Sequence, residues 1–221
     1  TGAGSALTRD PERLFAVASG VVKAAGGPAS KGGVPVTVKI RSGWETKQMT
    51  WRAAAEAALD AGVSAITIHP RTRAQGYEGH SDWGIMKELV ELVNGRIPVF
   101  GSGDLFKPED AWAMLEQTGA DAVMFARGAM GNPFIFRDAT DLLTKGSYEP
   151  LPPEERVKTG FAELERLVAE TSEQHACLEM RKRFAAYSKG ISGGAALRAR
   201  IVHAASVEDY KDIFANFINL C

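Results

Sequence analysis

A row of cationic and ring-nitrogen side chains stands at the ends of apolar runs. Lys39 and Arg41 close VPVTVKIR (34–41), while His69, Arg71 and Arg73 follow SAITI in the stretch 64–73. Lysine and arginine carry positive charge and histidine titrates near neutral pH, so a row of them at strand ends could meet a ligand. Two glycine-bearing stretches, GSGD (101–104) and ARGAMG (126–131), follow further apolar runs, and Arg127 lies in the second. Where such loops run into helix starts, free backbone N–H groups and the helix dipole favour a phosphate. The chemistry implied is a phosphate-bearing ligand held beside anion-stabilising groups.

Each residue also has a purely structural reading. Lys39 is the hardest to explain that way, because a lysine is rarely buried without a partner. His69 fits a core histidine satisfied by a carbonyl, Arg71 and Arg73 fit solvated loop charges, and Asp104 fits a cap on the next turn.

The elements that must position these residues are legible from pattern. VPVTVKIR, SAITIH, IPVFGS (97–102) and DAVMFA (121–126) are continuously apolar, as expected of strands covered on both faces. Helical patterns lie between them: TWRAAAEAALDAG, with Thr50 as N-cap and Gly62 past its end, and KPEDAWAMLEQTG, with Pro108 in its first turn and Gly119 as its stop. DAGVSAITIH and QTGADAVMFA look like one unit used twice, which predicts a (β/α) barrel with its active face at the C-terminal strand ends. A complete barrel needs roughly 250 residues. Here the barrel-like part ends near Tyr148, so residues 1–148 are predicted to be the second half of a (β/α)8 TIM barrel, built of four βα units. The two glycine loops would then follow strands seven and eight, where barrel enzymes frequently bind phosphate. The open edges of such a half barrel would favour self-association of the chain.

Residues 149–221 are predicted to form a small all-α domain. Pro152 and Pro153 open a helix with Val157, Phe161, Leu164 and Val168 on one face, and Ser206 caps another carrying Val207, Tyr210, Phe214 and Phe217. From Cys177 to His203 the chain holds six Lys/Arg against one Glu. Arg181, Lys182, Arg183, Lys189, Arg198 and Arg200 thus form a local positive patch, read either as a nucleic-acid contact or as a solvated face.

Composition bounds these readings. A net charge of -1 over 221 residues excludes a globally basic nucleic-acid binder, and the 45% hydrophobic content is ample for a core. No apolar run approaches the roughly 20 residues of a membrane span. Cys177 and Cys221 form no CxxC pair and have no metal-ligand spacing with the four histidines, which points to a reducing, cytoplasmic setting and to no metal. The chain begins TGAGSAL, without an initiator Met, and reads as a sequence entered midway.

The segments GAGSALTRDPE, PVTVKIRSGW, ITIHPRTRAQGYEGHSDW, PVFGSGDL, ADAVMFARGAMGNPFIF and EMRKRFAAYSKG together resemble the tRNA-dihydrouridine synthases, closest to the bacterial B-type group, from Thr1 to about Phe217. The resemblance implies an FMN-dependent barrel with a C-terminal helical domain that grips tRNA. It also implies reduction of the C5–C6 bond of uridine to 5,6-dihydrouridine, with NADPH or NADH recharging the flavin. Lys39 matches the lysine near the flavin N1 and C2 carbonyl, and His69 the active-site histidine beside the flavin. Ser102, Gly103, Asp104, Ala126 and Arg127 match segments that bind the FMN phosphate and ribityl chain. Arg41, Arg71 and Arg73 would face the RNA, together with the six cations of the helical domain.

The departures are also specific. Ser102 stands where the family usually has Asn, Ala126 where it has Gly, and Pro70 where Gly is common. The family's first four strands, with a PMAG loop, a glutamine contact and the catalytic cysteine of a GCP loop, are expected before Thr1. Cys177 and Cys221 both lie in the predicted helical domain, so this portion alone is expected to be inactive. Two other classes fit the residues: a different FMN- or phosphate-binding barrel oxidoreductase acting on a small molecule, which would not need the basic helical tail, and a non-catalytic RNA-binding remnant.

Overall fold

The computed structural model describes residues 4–215, so Phe217 and Cys221 lie outside the described residues. By its internal packing the chain divides into two compact units, Thr1–Ala126 and Arg127–Cys221.

The first unit is a partial α/β barrel. A helix α1 (Pro11–Ala24) is followed by β1 (Thr37–Glu45), a short return strand β2 (Gln48–Met49), α2 (Trp51–Asp60), β3 (Ala65–Thr72), α3 (Trp83–Val93), β4 (Val99–Ser102), α4 (Pro108–Thr118) and β5 (Ala122–Met124). The sheet runs β2-β1-β3-β4-β5. β1, β3, β4 and β5 are mutually parallel and sequential, as the repeated strand-helix units predict, and only β2 is antiparallel. The first predicted strand starts three residues late, because Val34 is 68% exposed and the pairing begins at Thr37 opposite Ala65.

Local chemistry sets the ends of these helices. Asp10 accepts a hydrogen bond from the Arg13 N–H at 3.0 Å and Pro11 opens the first turn of α1, the arrangement that satisfies an otherwise orphaned donor. Thr50 stands at the N-cap of α2, but its hydroxyl donates across to the Thr8 carbonyl instead of capping its own helix. Gly119 ends α4 in the left-handed region, as expected.

Side chains alternate along each strand, so the register divides the sheet into two faces. Ile40, Ile66, Ile68 and Val99 point into one apolar core with Leu14, Ala18 and Val22 of α1, Ala54, Ala55 and Ala58 of α2, Met86 and Leu89 of α3, and Met114 of α4. The three alanines of α2 are at most 1% exposed, and their small size lets the helix approach closely. The other face carries Thr37, Lys39 and Arg41, then Thr67, His69 and Arg71, then Phe100 and Ser102, because Lys39 pairs with Thr67, Arg41 with His69 and Thr67 with Phe100. Every residue expected to carry chemistry on these strands therefore lies on the face away from the helices. Beside β1, over residues 36–41, a groove of about 420 Å³ is walled by α1 residues Leu14, Val17, Ala18 and Val21.

The second unit is helical. It contains α5 (Ile135–Lys145), α6 (Pro153–Glu170), α7 (Glu173–Tyr187), α8 (Gly194–Ile201) and α9 (Val207–Phe214). Val157, Phe161 and Leu164 are buried as the helical period predicts, and Ser206 caps α9 in a reciprocal box with Asp209. Phe184 is the centre of this core, 4.7 Å from the Tyr210 ring, 5.1 Å from Phe161 and 5.2 Å from Phe214. Gly131 sits at φ +65 against the backbone of Ala186 and Tyr187, where a side chain would collide. That glycine of the ARGAMG stretch is therefore required by packing. No described helix is long and apolar enough to cross a membrane, and the described residues contain no group of His, Cys, Asp and Glu placed to hold a metal.

Candidate functional site

The site is assembled at the C-terminal ends of β1, β3 and β4, and its centre is a buried guanidinium. Arg71 is 1% exposed. Its Nη2 donates to both carboxylate oxygens of Asp104 at 2.7 Å and to the Gly79 carbonyl at 2.7 Å, and its Nη1 lies 3.3 Å from Nε2 of His69. Asp104 also accepts from the Ser81 N–H at 2.7 Å and adopts a left-handed backbone at φ 58. The sequence reading turned Arg71 towards RNA; here it faces inward, because β3 continues through Thr72 and residue 71 shares the face of His69. Its Nη1 and Nη2 are committed within the protein.

Two loops are shaped to meet it. Gln75 donates from its side chain to the carbonyls of Glu78 and His80, at 3.0 and 3.2 Å, folding the 74–80 loop so that the Gly79 carbonyl reaches Arg71. In the GSGD loop, Gly103 has φ +118, and a side chain there would run into Ser81 and the His69 ring. Glycine at 103 thus serves close packing of the loop on His69, while its carbonyl accepts from the Trp83 indole at 3.3 Å.

His69 is 8% exposed, and its pKa is pushed down to about 4, first by burial and then by the charges of Lys39, Arg41 and Arg71, with Asp104 pulling the other way. It is therefore neutral at physiological pH. Lys39 is an exposed side chain on the same sheet face, and its pKa is lowered by desolvation and then by Arg41. Such a lysine is poised to gain from an anion placed beside it. Arg41 donates from Nη1 to the Thr72 carbonyl at 3.0 Å, which fixes its stem at the strand end.

A second feature escaped sequence reading. The guanidiniums of Arg9 and Arg73 lie 3.9 and 4.9 Å from the Trp44 ring, so Arg73 is exposed yet held by a cation–π contact. The contact joins positions far apart in the chain, and no local pattern signals it.

The remaining expected residues are placed as follows. Ser102 is 2% exposed at the end of β4. Ala126 ends the first unit, and Arg127 opens a short 3-10 turn, Arg127–Ala129, before α5 begins at Ile135. The ARGAMG stretch thus does not run directly into an α-helix. In the helical unit the positive patch is thinner than its composition implies. Arg183 is ion-paired with both Glu163 and Glu179, Arg181 donates to the Ala204 carbonyl at 2.8 Å and Arg200 to the Asp212 carbonyl at 3.2 Å. Lys182, Lys189 and Arg200 are exposed and Arg198 is half-buried. Cys177 is fully buried and burial pushes its thiol up, so it is not a candidate acid.

The buried neutral His69 carries a pH signature. Above about 6.5 both folded and unfolded chains hold this imidazole neutral, but between there and about 4 only the unfolded chain takes up its proton, so stability falls as the pH drops through that window. His69 is expected to titrate near pH 4 by NMR, and His69→Gln to flatten the loss of thermal stability across the window. A His69 midpoint near the ordinary value of 6.5 contradicts this account.

The dihydrouridine synthase (Dus) family model matches residues 1–219. A probable tRNA-dihydrouridine synthase of Treponema pallidum (strain Nichols) is 51% identical over 212 residues, 95% of this chain and 62% of that protein. Probable tRNA-dihydrouridine synthase 1 of Synechocystis is 36% identical over 99% of this chain and 59% of its own length. tRNA-dihydrouridine synthase B of Pseudomonas aeruginosa is 38% identical over 68% of this chain and 43% of its own. The chain thus spans less than two thirds of the length of these relatives. A (β/α) sheet with a charged strand-end face, a helical second unit and a family match along nearly all of its length lead to one assignment: the chain belongs to the dihydrouridine synthase family.

Proposed function

We propose that this chain serves the reduction of uridine to 5,6-dihydrouridine in tRNA in the cytoplasm, with FMN at the strand ends of the first unit and NADPH, or NADH, as the source of hydride. The observation that carries the reading is the adjacency of Lys39, Arg41 and His69 on one open sheet face, with the Lys39 pKa lowered and His69 neutral. The donor set fits FMN: an ammonium, a guanidinium and an imidazole share a face whose one nearby carboxylate, Asp104, is turned to Arg71. FMN, when bound, supplies the hydride that reaches the uracil ring.

The protein's own residues prepare for that transfer. Lys39 would hold a positive charge beside the bound flavin and would stabilise negative charge on the reduced ring. His69, neutral and backed by Arg71, contributes a hydrogen bond without adding a charge. The backbone of 102–104, with Ala126 and Arg127, is the proposed hold on the phosphate and ribityl chain. Cys177 is buried in the helical core and is not proposed as the proton donor. The exposed Lys182, Lys189 and Arg200, with Arg198, supply phosphate contacts to tRNA, and Arg41 and Arg73 approach the RNA from the first unit.

A flavin titration tests the cofactor. Wild-type chain is expected to quench FMN fluorescence saturably, and Lys39→Ala to weaken binding about tenfold or more, equivalent to about 1.4 kcal/mol. Absence of saturable quenching in the wild type overturns the reading. For the RNA, Lys182→Gln with Lys189→Gln is expected to weaken binding of different tRNAs alike. The slope of log affinity against log salt should flatten by about two units at most. An unchanged slope marks the two lysines as solvated charges.

A further inference from the structure

We propose that Arg71 fixes His69 as the Nδ1–H tautomer, so that the imidazole offers the open sheet face a hydrogen-bond donor and never an acceptor. Arg71 is then a positioning residue, acting through His69, and not an RNA contact. The inference stands on the strand-end geometry and goes beyond the flavin reading, since it holds whatever ligand occupies the face.

The argument is one of donor inventory. A guanidinium has five N–H donors and no acceptor, and it does not deprotonate in proteins. With Arg71 Nη1 3.3 Å from His69 Nε2, that nitrogen can only accept. A neutral imidazole that accepts at Nε2 carries its proton on Nδ1. His69 Nδ1 makes no hydrogen bond among the described residues, so its proton remains available to a ligand. An acceptor such as a heterocycle carbonyl or ring nitrogen is what this donor recognises.

Three observations make the tautomer a built property. First, the guanidinium cannot swing away, because its Nη2 is held by both oxygens of Asp104 and by the Gly79 carbonyl. Second, Asp104 is itself fixed by the Ser81 N–H and by the turn at Gly103 that rests on the His69 ring. Third, the charged groups facing the imidazole are Lys39 and Arg41 from β1, Arg71 from β3 and Asp104 from the loop after β4. Three cations against one carboxylate disfavour the doubly protonated ring, leaving the choice of tautomer to the Arg71 hydrogen bond.

The test is a long-range ¹H–¹⁵N correlation spectrum of the chain with ¹⁵N-labelled histidine, His69 being assigned among the four histidines by its loss in His69→Gln. Wild type is expected to show His69 protonated on Nδ1 and bare on Nε2, with exposed His80 as the unconstrained reference. Arg71→Met keeps the bulk and removes the donors, and is expected to lower the Nδ1–H to Nε2–H ratio at least about fivefold, the equivalent of roughly 1 kcal/mol. If that variant does not fold, Asp104→Asn, which loosens the guanidinium without deleting it, is read the same way. A wild-type His69 protonated on Nε2 overturns the proposal, as does a tautomer ratio unmoved by the variant that folds.

Discussion

The arrangement of the strand ends depends on one ion pair, the buried two-oxygen contact of Arg71 with Asp104. A guanidinium that is 1% exposed loses its hydration, and the loss is tolerable only when charge and hydrogen bonds replace it. Asp104 supplies the charge, and Gly79 and His69 take further donors. Those partners come from β3, from the loop after it and from the loop after β4. Satisfying one side chain therefore fixes three segments whose positions would otherwise be set only by loop entropy.

The same pair separates the two faces of the sheet in chemical terms. Towards the helices, Ile40, Ile66, Ile68 and Val99 bury apolar surface and account for cohesion. Towards the open side the strands carry three cations that repel one another, Lys39, Arg41 and Arg71, around the neutral His69. Asp104 meets Arg71 directly, while the charges of Lys39, Arg41 and Arg71 add to burial in driving His69 neutral. A face of this kind is costly without an anion and well matched to one. That imbalance supports an anion site at the strand ends, and the family to which the chain belongs gives the proposed function its chemistry.

Much of this could be read from the residues, and the failures have physical causes. Continuous apolar runs marked all four parallel strands, and Gly119 and Ser206 marked helix ends where they stand. Lys39 and His69 were legible as polar positions on the strands because each breaks an apolar run. Arg71 was expected to face RNA, and its burial was not legible because its partner is 33 residues away and the strand continues to Thr72. The helical patch was overcounted for the same reason: Arg183 meets Glu163 across 20 residues, a pairing that composition does not register. The start of α1 is the reverse case, since Asp10, Pro11 and Glu12 spell a helix N-terminus in the sequence and needed only to be read as one.

The most direct measurement of the central claim is a double-mutant cycle in urea between Arg71→Met and Asp104→Asn. If the pair organises the strand ends, each single change costs about 2 kcal/mol or more, because it removes a charged hydrogen-bond partner at a largely buried contact. The double variant then loses less than the sum, with a coupling of on the order of 2 kcal/mol. Single changes that each cost under about 0.5 kcal/mol, or that add without coupling, contradict the account.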